Sequence, residues 1–123
     1  SDLLPKNKDN KVQCRSRHRI MSGDLIALGP GKVDLLESID QEGSISGAAR
    51  QNRISYRRAW DMVDTMNRCF KKPLVESATG GKGGGGAKLT LLGKKVIAIY
   101  RDMEHKASQA TQGEWSSLKK HLK

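Results

Sequence analysis

From Val33 to Ala107 the apolar residues recur mostly at spacings of three and four, and they stop altogether around residue 80. Val33, Leu36 and Ile39, with Leu35, predict a helix that starts at Gly29-Pro30-Gly31, where proline suits a first turn, and ends before Gly43. Ile45, Ala48 and Ala49 predict a second, short helix, with Ser44 or Ser46 as its N-cap and alanines small enough for close helix approach. Gln51 to Ile54 reads as a tight turn. Ser55 offers another N-cap, and Ala59, Val63, Met66 and Phe70, widened by Trp60 and Met62, predict a third helix with one core face. Pro73 stops that helix. Leu74 to Thr79 has β character with Val75 inward, and Ala87 to Leu89 predicts its partner strand across a long glycine tip. Thr90 then caps a helix whose stripe is Leu92, Val96, Ile99, Met103 and Ala107, with Tyr100 beside it and Gly93 permitting close packing.

The ends carry less pattern. Ile20, Leu25, Ile26 and Leu28 around Ser22-Gly23-Asp24 predict one or two short strands that turn at the glycine. Residues 1–13 are polar, without either period, and are expected to be a disordered tail preceding a domain over 14–107. Residues 108–123 are either a short amphipathic helix built on Trp115, Leu118 and Leu122 or a frayed tail, separated from the long helix by Gly113.

Helix, helix-turn-helix and β-hairpin, in that order, predict an α+β winged helix-turn-helix: a three-helix core, a hairpin wing and a long C-terminal helix. The outward face of the third helix begins with Tyr56, Arg57, Arg58 and Asp61, and Arg68 follows further along. In helix-turn-helix docking that end enters the major groove, where arginine pairs with guanine O6 and N7. Candidate DNA contacts are therefore Ser44, Ser46, Ser55, Tyr56, Arg57, Arg58, Asp61, Lys82 at the glycine tip and Lys88 on the returning strand. Within that set Arg57 is expected to read a base and Arg58 to hold phosphate. The bland alternative is an amphipathic helix pair with a solvated basic face.

Charge distribution bears on that choice. The chain of 123 residues has a formal net charge of +10, but residues 1–22 hold six lysines and arginines against two aspartates, 23–49 one against five acids, and 50–72 seven against two. The sign changes twice. This favours one basic face over a uniformly sticky surface, and such a face releases counterions from nucleic-acid phosphates. No apolar run approaches the ~20 residues needed to span a bilayer, and a cytoplasmic protein is expected from the free thiols Cys14 and Cys69. With only five aromatic residues the core is small, so a homodimer through Leu92, Val96, Ile99, Tyr100 and Met103 is expected to supplement it.

Cys14, Cys69, His18, His105 and His121 have no zinc-ligand spacing, although Cys14 and His18 would share a face if that stretch were helical. The G-x-G-x-x-G string from Gly81 to Gly86 lies between two strands rather than opening a helix, and Lys82 lacks the following serine or threonine of a Walker loop. A tip with one lysine instead suits close approach to a phosphate backbone, or is simply a floppy hairpin end. Neither a catalytic site, a metal nor a cofactor is expected. Alternatives to a sequence-specific regulator are an architectural DNA binder, an RNA-binding winged helix, or an enzyme subunit whose glycine loop takes nucleotide phosphate.

GSISGAA, then ISYRRAWDMVDTMN, then LVESATGGKGGGGAKLT before a Gly93-containing helix closely resemble the DNA-binding domain of the ModE molybdate-responsive transcription regulators. The resemblance runs from about Pro30 to Tyr100, and a more distant one to LysR-type domains covers the same helices. It implies a winged helix whose second helix-turn-helix element reads the major groove, and a homodimer formed by the long helix with the N-terminal strand region. Regulators of that kind carry a C-terminal oxyanion-binding region that these 123 residues lack, so molybdate sensing is not expected to transfer, and a separate oxyanion-sensing partner becomes a candidate.

Overall fold

The computed structural model describes residues 12–79 and 85–123. Most of the expected N-terminal tail, and the glycine tip with Lys82, lie outside the described residues.

Two short strands, β1 (Ile20–Ser22) and β2 (Leu25–Leu28), pair antiparallel around Gly23, whose φ of 60° is the left-handed conformation that glycine adopts without penalty. The stretch before β1 is not helical, so Cys14 and His18 do not share a helix face. Helix α1 (Pro30–Glu42) has proline at its start and ends at Gly43. It buries Val33, Leu35, Leu36 and Ile39 completely and is the central element of the core.

Helices α2 (Ile45–Gln51) and α3 (Tyr56–Cys69) are both capped by serine: Ser44 Oγ accepts from Gly47 N at 2.9 Å, and Ser55 Oγ accepts from Arg58 N at 3.0 Å. Ser44, not Ser46, is thus the cap. Ala48, Ala49 and Ala59 are buried where the two helices cross, as small side chains at a close approach require. The turn is held by Asn52, whose Nδ2 donates to Ala48 O and to Ser38 Oγ, both at 2.8 Å, while Arg53 takes a left-handed φ of 58°. Trp60 departs from the expected stripe. It is 41% exposed and lies at the edge of α3, leaving the core face to Ala59, Val63 and Met66.

The second hairpin, β3 (Val75–Ala78) and β4 (Gly86–Leu89), pairs Val75 with Leu89 and Ala78 with Gly86. Ala87 N also donates to Gly43 O at 3.0 Å, which ties β4 to the corner between α1 and α2. Helix α4 (Leu91–Ala110) follows, with Thr90 Oγ1 accepting from Gly93 N at 3.0 Å. A Cβ at Gly93 would lie 2.3 Å from Leu74 O, so only glycine lets α4 sit this close to the hairpin. Arg101 donates to Asp34 at 3.0 Å, to Glu104 at 2.9 Å and to both carboxylate oxygens of Glu37 through Nε and Nη2, and the Glu37 bonds contribute most to holding its pKa above the ordinary arginine range. This cluster joins α4 to α1. Tyr100 is buried, donates its hydroxyl to His18 O at 2.8 Å and thereby fastens the N-terminal segment onto α4.

Val96 and Tyr100 therefore belong to the interior of the chain's own core rather than to the expected outward dimer face. Leu92 is half-buried, and the apolar side chains of α4 that face outward are Leu91, Ile99 and Met103. A further helix, α5 (Gln112–Lys119), includes Gly113, so the break from α4 falls at Thr111 and not at the glycine. It has no fully buried residue.

Candidate nucleic-acid interface

At 3.6 residues per turn, the residues of α3 fall into a buried face, an outer ridge and two partly covered flanks. Arg57, Asp61 and Arg68 form the outermost ridge. Tyr56, Trp60 and Asn67 turn toward the hairpin, and Arg58, Met62 and Thr65 turn toward α1. The ridge makes no contribution to the core, so its charged character is free of any folding requirement.

The start of the ridge is arranged before any ligand arrives. Arg57 Nε lies 3.3 Å from Asp61 one turn on, and its guanidinium sits 5.5 Å from the centroid of the Trp60 ring. The arginine keeps 80% of its side chain exposed in this pose, which limits the stabilisation from the ion pair but leaves its donors accessible. Arg68 pairs with Asp64 in the same i,i+4 manner at 3.1 Å. Arg58 makes no ion pair with another described residue.

On the hairpin side, α3 and the β3–β4 hairpin enclose a groove of about 790 Å³ lined by Tyr56, Trp60, Asn67, Glu76 and Ser77 among others. Asn67 ties the two walls together. Its Oδ1 accepts from Leu74 N at 2.8 Å and Val75 N at 3.3 Å, and its Nδ2 donates to Val75 O at 3.1 Å, so one side chain satisfies the start of β3 from the flank of the helix. On the α1 side a cleft of about 360 Å³ is lined by Lys32, Ser55, Arg57, Arg58, Asp61, Met62 and Thr65. Lys32 is half-buried there. Burial, and then the charge of Arg58, lower its pKa from the ordinary lysine value, with Cys69 acting the other way.

The sequence-derived candidates thus separate. Tyr56, Arg57, Arg58 and Asp61 share the exposed start of α3, with Ser55 at its cap. Ser44 is occupied with capping α2, Ser46 is exposed and borders the hairpin groove, and Lys88 is exposed on β4. Asn67 and Lys32 were not foreseen. Nothing in the local pattern marks Asn67, whereas Lys32 had a signal in being the one basic residue of an otherwise acidic stretch.

No protein-family model matches the chain. Individual relatives do. The molybdenum transport protein ModE of Azotobacter vinelandii is 46% identical over 78 residues, covering 63% of this chain and 29% of that protein. The DNA-binding transcriptional dual regulator ModE of Escherichia coli K12 is 49% identical over 71 residues, 58% of this chain and 27% of its own length. The molybdenum-pterin-binding protein MopA of Rhodobacter capsulatus is 43% identical over 83 residues, 68% and 31% respectively. The chain therefore spans less than a third of the length of these relatives. Among solved structures, the CbnR DNA-binding domain in complex with DNA superposes with a TM-score of 0.55 at 14% identity, over 71% of this chain and 94% of that one. Full-length LysG, an LTTR of Corynebacterium glutamicum, with bound effector Arg gives 0.53 at 24% identity, over 74% and 29%. The chain carries a ModE-like domain with the winged helix-turn-helix fold of LysR-type DNA-binding domains.

Proposed function

We propose that the chain is a sequence-specific DNA-binding transcription regulator without enzymatic activity, acting in molybdenum homeostasis as a homodimer on a two-fold symmetric site. The observation that carries this reading is the ridge of α3: a capped, rigid helix presents charged side chains that the fold does not use, flanked by the hairpin on one side and α1 on the other. Arg57 is the base reader. It sits on the ridge within the first turn, beside Asp61 and Trp60, with its donors open to a guanine edge. Arg58 points to the α1 flank, where backbone phosphate passes.

The outward residues Leu91, Ile99 and Met103 of α4 support the dimer, because a second copy would cover them and set two α3 helices about 34–36 Å apart, one turn of DNA. Selection of binding sites from random duplexes, followed by anisotropy titrations, tests the reading. A preferred site of two inverted halves is expected, bound at least ~10³-fold more tightly than random DNA. Arg57→Ala is expected to cost ~1–3 kcal/mol on that site and to relax preference at one position. Equal affinity for all duplexes, or stronger binding to single-stranded RNA, would exclude a sequence-specific regulator.

A further inference from the structure

Lys32 stands where an isolated lysine gains nothing from the fold. It lies at the start of α1, half-buried in the cleft against α3, with Arg57 and Arg58 lining the same cleft. Asp61 is the acid of that cleft, and it is already engaged by Arg57. Neither Lys32 nor Arg58 pairs with a carboxylate among the described residues. Two like charges at one partly desolvated site disfavour each other, and the depressed pKa of Lys32 reflects burial first and Arg58 second. An anion entering the cleft offsets both penalties, because its charge favours the protonated lysine and screens it from Arg58.

We propose that Lys32 and Arg58 form a two-cation clamp for a single DNA backbone phosphate on the α1 flank of the recognition helix. The inference rests on the DNA-binding reading above and assigns to α1 a contact that neither its acidic composition nor its core role suggests. Placement supports it. A helix lying in the major groove, about 12 Å wide, has a phosphate strand along each side, and the cleft opens on the side of α3 away from the hairpin. Thr65, also lining the cleft, offers a neutral hydroxyl donor beside the two cations. The clamp gives register to α3 by fixing one flank, while Arg57 remains free to test bases.

Binding titrations against salt, on the selected site and on random duplex, provide the test. Lys32→Ala is expected to weaken both complexes by the same factor, on the order of tenfold at low salt, and to make the log–log salt slope shallower by about 0.9. Lys32→Arg should retain affinity and slope. The double variant with Arg58→Ala should lose less than the product of the two single losses, because both cations serve one phosphate. Replacing that one phosphate by neutral methylphosphonate should abolish the difference between the native chain and Lys32→Ala. A thermal midpoint for Lys32→Ala no lower than that of the native chain separates the effect from misfolding. If the native chain binds DNA but Lys32→Ala leaves the slope unchanged, or the two losses simply multiply, the clamp is overturned and the DNA-binding reading stands. Absence of salt-dependent DNA binding by the native chain overturns both.

Discussion

Helices α3 and α4 are both amphipathic, and each leaves one face uncovered, but the uncovered faces differ in kind. That of α3 is charged: Arg57, Arg58, Asp61 and Arg68 are well solvated and cost the free protein little. That of α4 is partly apolar, with Leu91 86% and Ile99 52% exposed. A charged face can wait in water for a polyanion, and salt tunes the encounter. An apolar face has an unfavourable term from the start, about 25 cal/mol for each Å² left wet, so it favours a partner that stays. The difference suggests a transient partner for α3 and a lasting one for α4.

The sharpest way to break this arrangement is to unseat α4. Gly93→Ala places a methyl against the Leu74 carbonyl, a backbone atom that cannot rotate away, and overpacking of this sort costs about 1–3 kcal/mol or more. Denaturant unfolding should show the upper end of that range. DNA affinity should fall with it, because the Leu74–Val75 backbone that α4 abuts is the one Asn67 holds against α3. An unchanged midpoint would mean that α4 is not anchored at the hairpin.

A smaller expected effect isolates the outward side of α4. Ile99→Glu leaves the core in place, since Ile99 is exposed and lies outside the cluster that Val96 and Tyr100 fill. The thermal midpoint extrapolated to low concentration should therefore hold. Sedimentation at micromolar concentration should instead shift from dimer to monomer, and affinity for a two-half site should drop at least tenfold, ~1.4 kcal/mol, with single half-sites bound as before. A native chain that sediments as a monomer under these conditions would remove the lasting partner from the comparison.

How much of this was legible in the sequence follows from what periodicity encodes. Helices α1 to α4, the turn and the β3–β4 hairpin were legible because burial on one face forces apolar spacing, and the caps at Ser55 and Thr90 because orphaned amides demand an oxygen at that place; α5, which buries nothing, was left open between helix and tail. Trp60 was misplaced since it stands beside the stripe by spacing, and only the position of the hairpin decides that this edge of α3 opens into a groove. Tyr100 was assigned to a dimer face because helical spacing does not say which neighbour covers a residue, and the carbonyl of His18 is 82 residues away. For the same reason Lys32 and Arg58, 26 positions apart, meet only once α1 and α3 have packed.

The smallest expected effect compares the two helices by the same chemical change. Ser55 and Thr90 each accept one amide, from Arg58 N and Gly93 N respectively. Loss of such a cap costs about 1 kcal/mol, within a range of about 0.5–2. Thr90 does more than cap, because its hydroxyl also donates to Pro73 O at 2.7 Å and its backbone N–H donates to Leu74 O at 2.9 Å. Thr90→Ala therefore leaves the backbone bond but strands the Pro73 carbonyl as well as the Gly93 amide, and its cost should lie toward the upper end. Ser55→Ala strands one exposed amide and should sit near the lower end in global unfolding. Its consequence in binding should be the larger of the two, because the turn it holds contains Tyr56, Arg57 and Arg58, whereas the turn held by Thr90 contains Leu91 and Leu92. A helix start that frays must be reordered on DNA, and that ordering is subtracted from affinity. Ser55→Ala is thus expected to lower DNA affinity by more than its unfolding free energy accounts for, with Ser55→Asp restoring the cap and the stability while adding a repulsive charge near the phosphates. If Thr90→Ala and Ser55→Ala lowered DNA affinity equally, the start of α3 would not be the part of the chain that meets DNA.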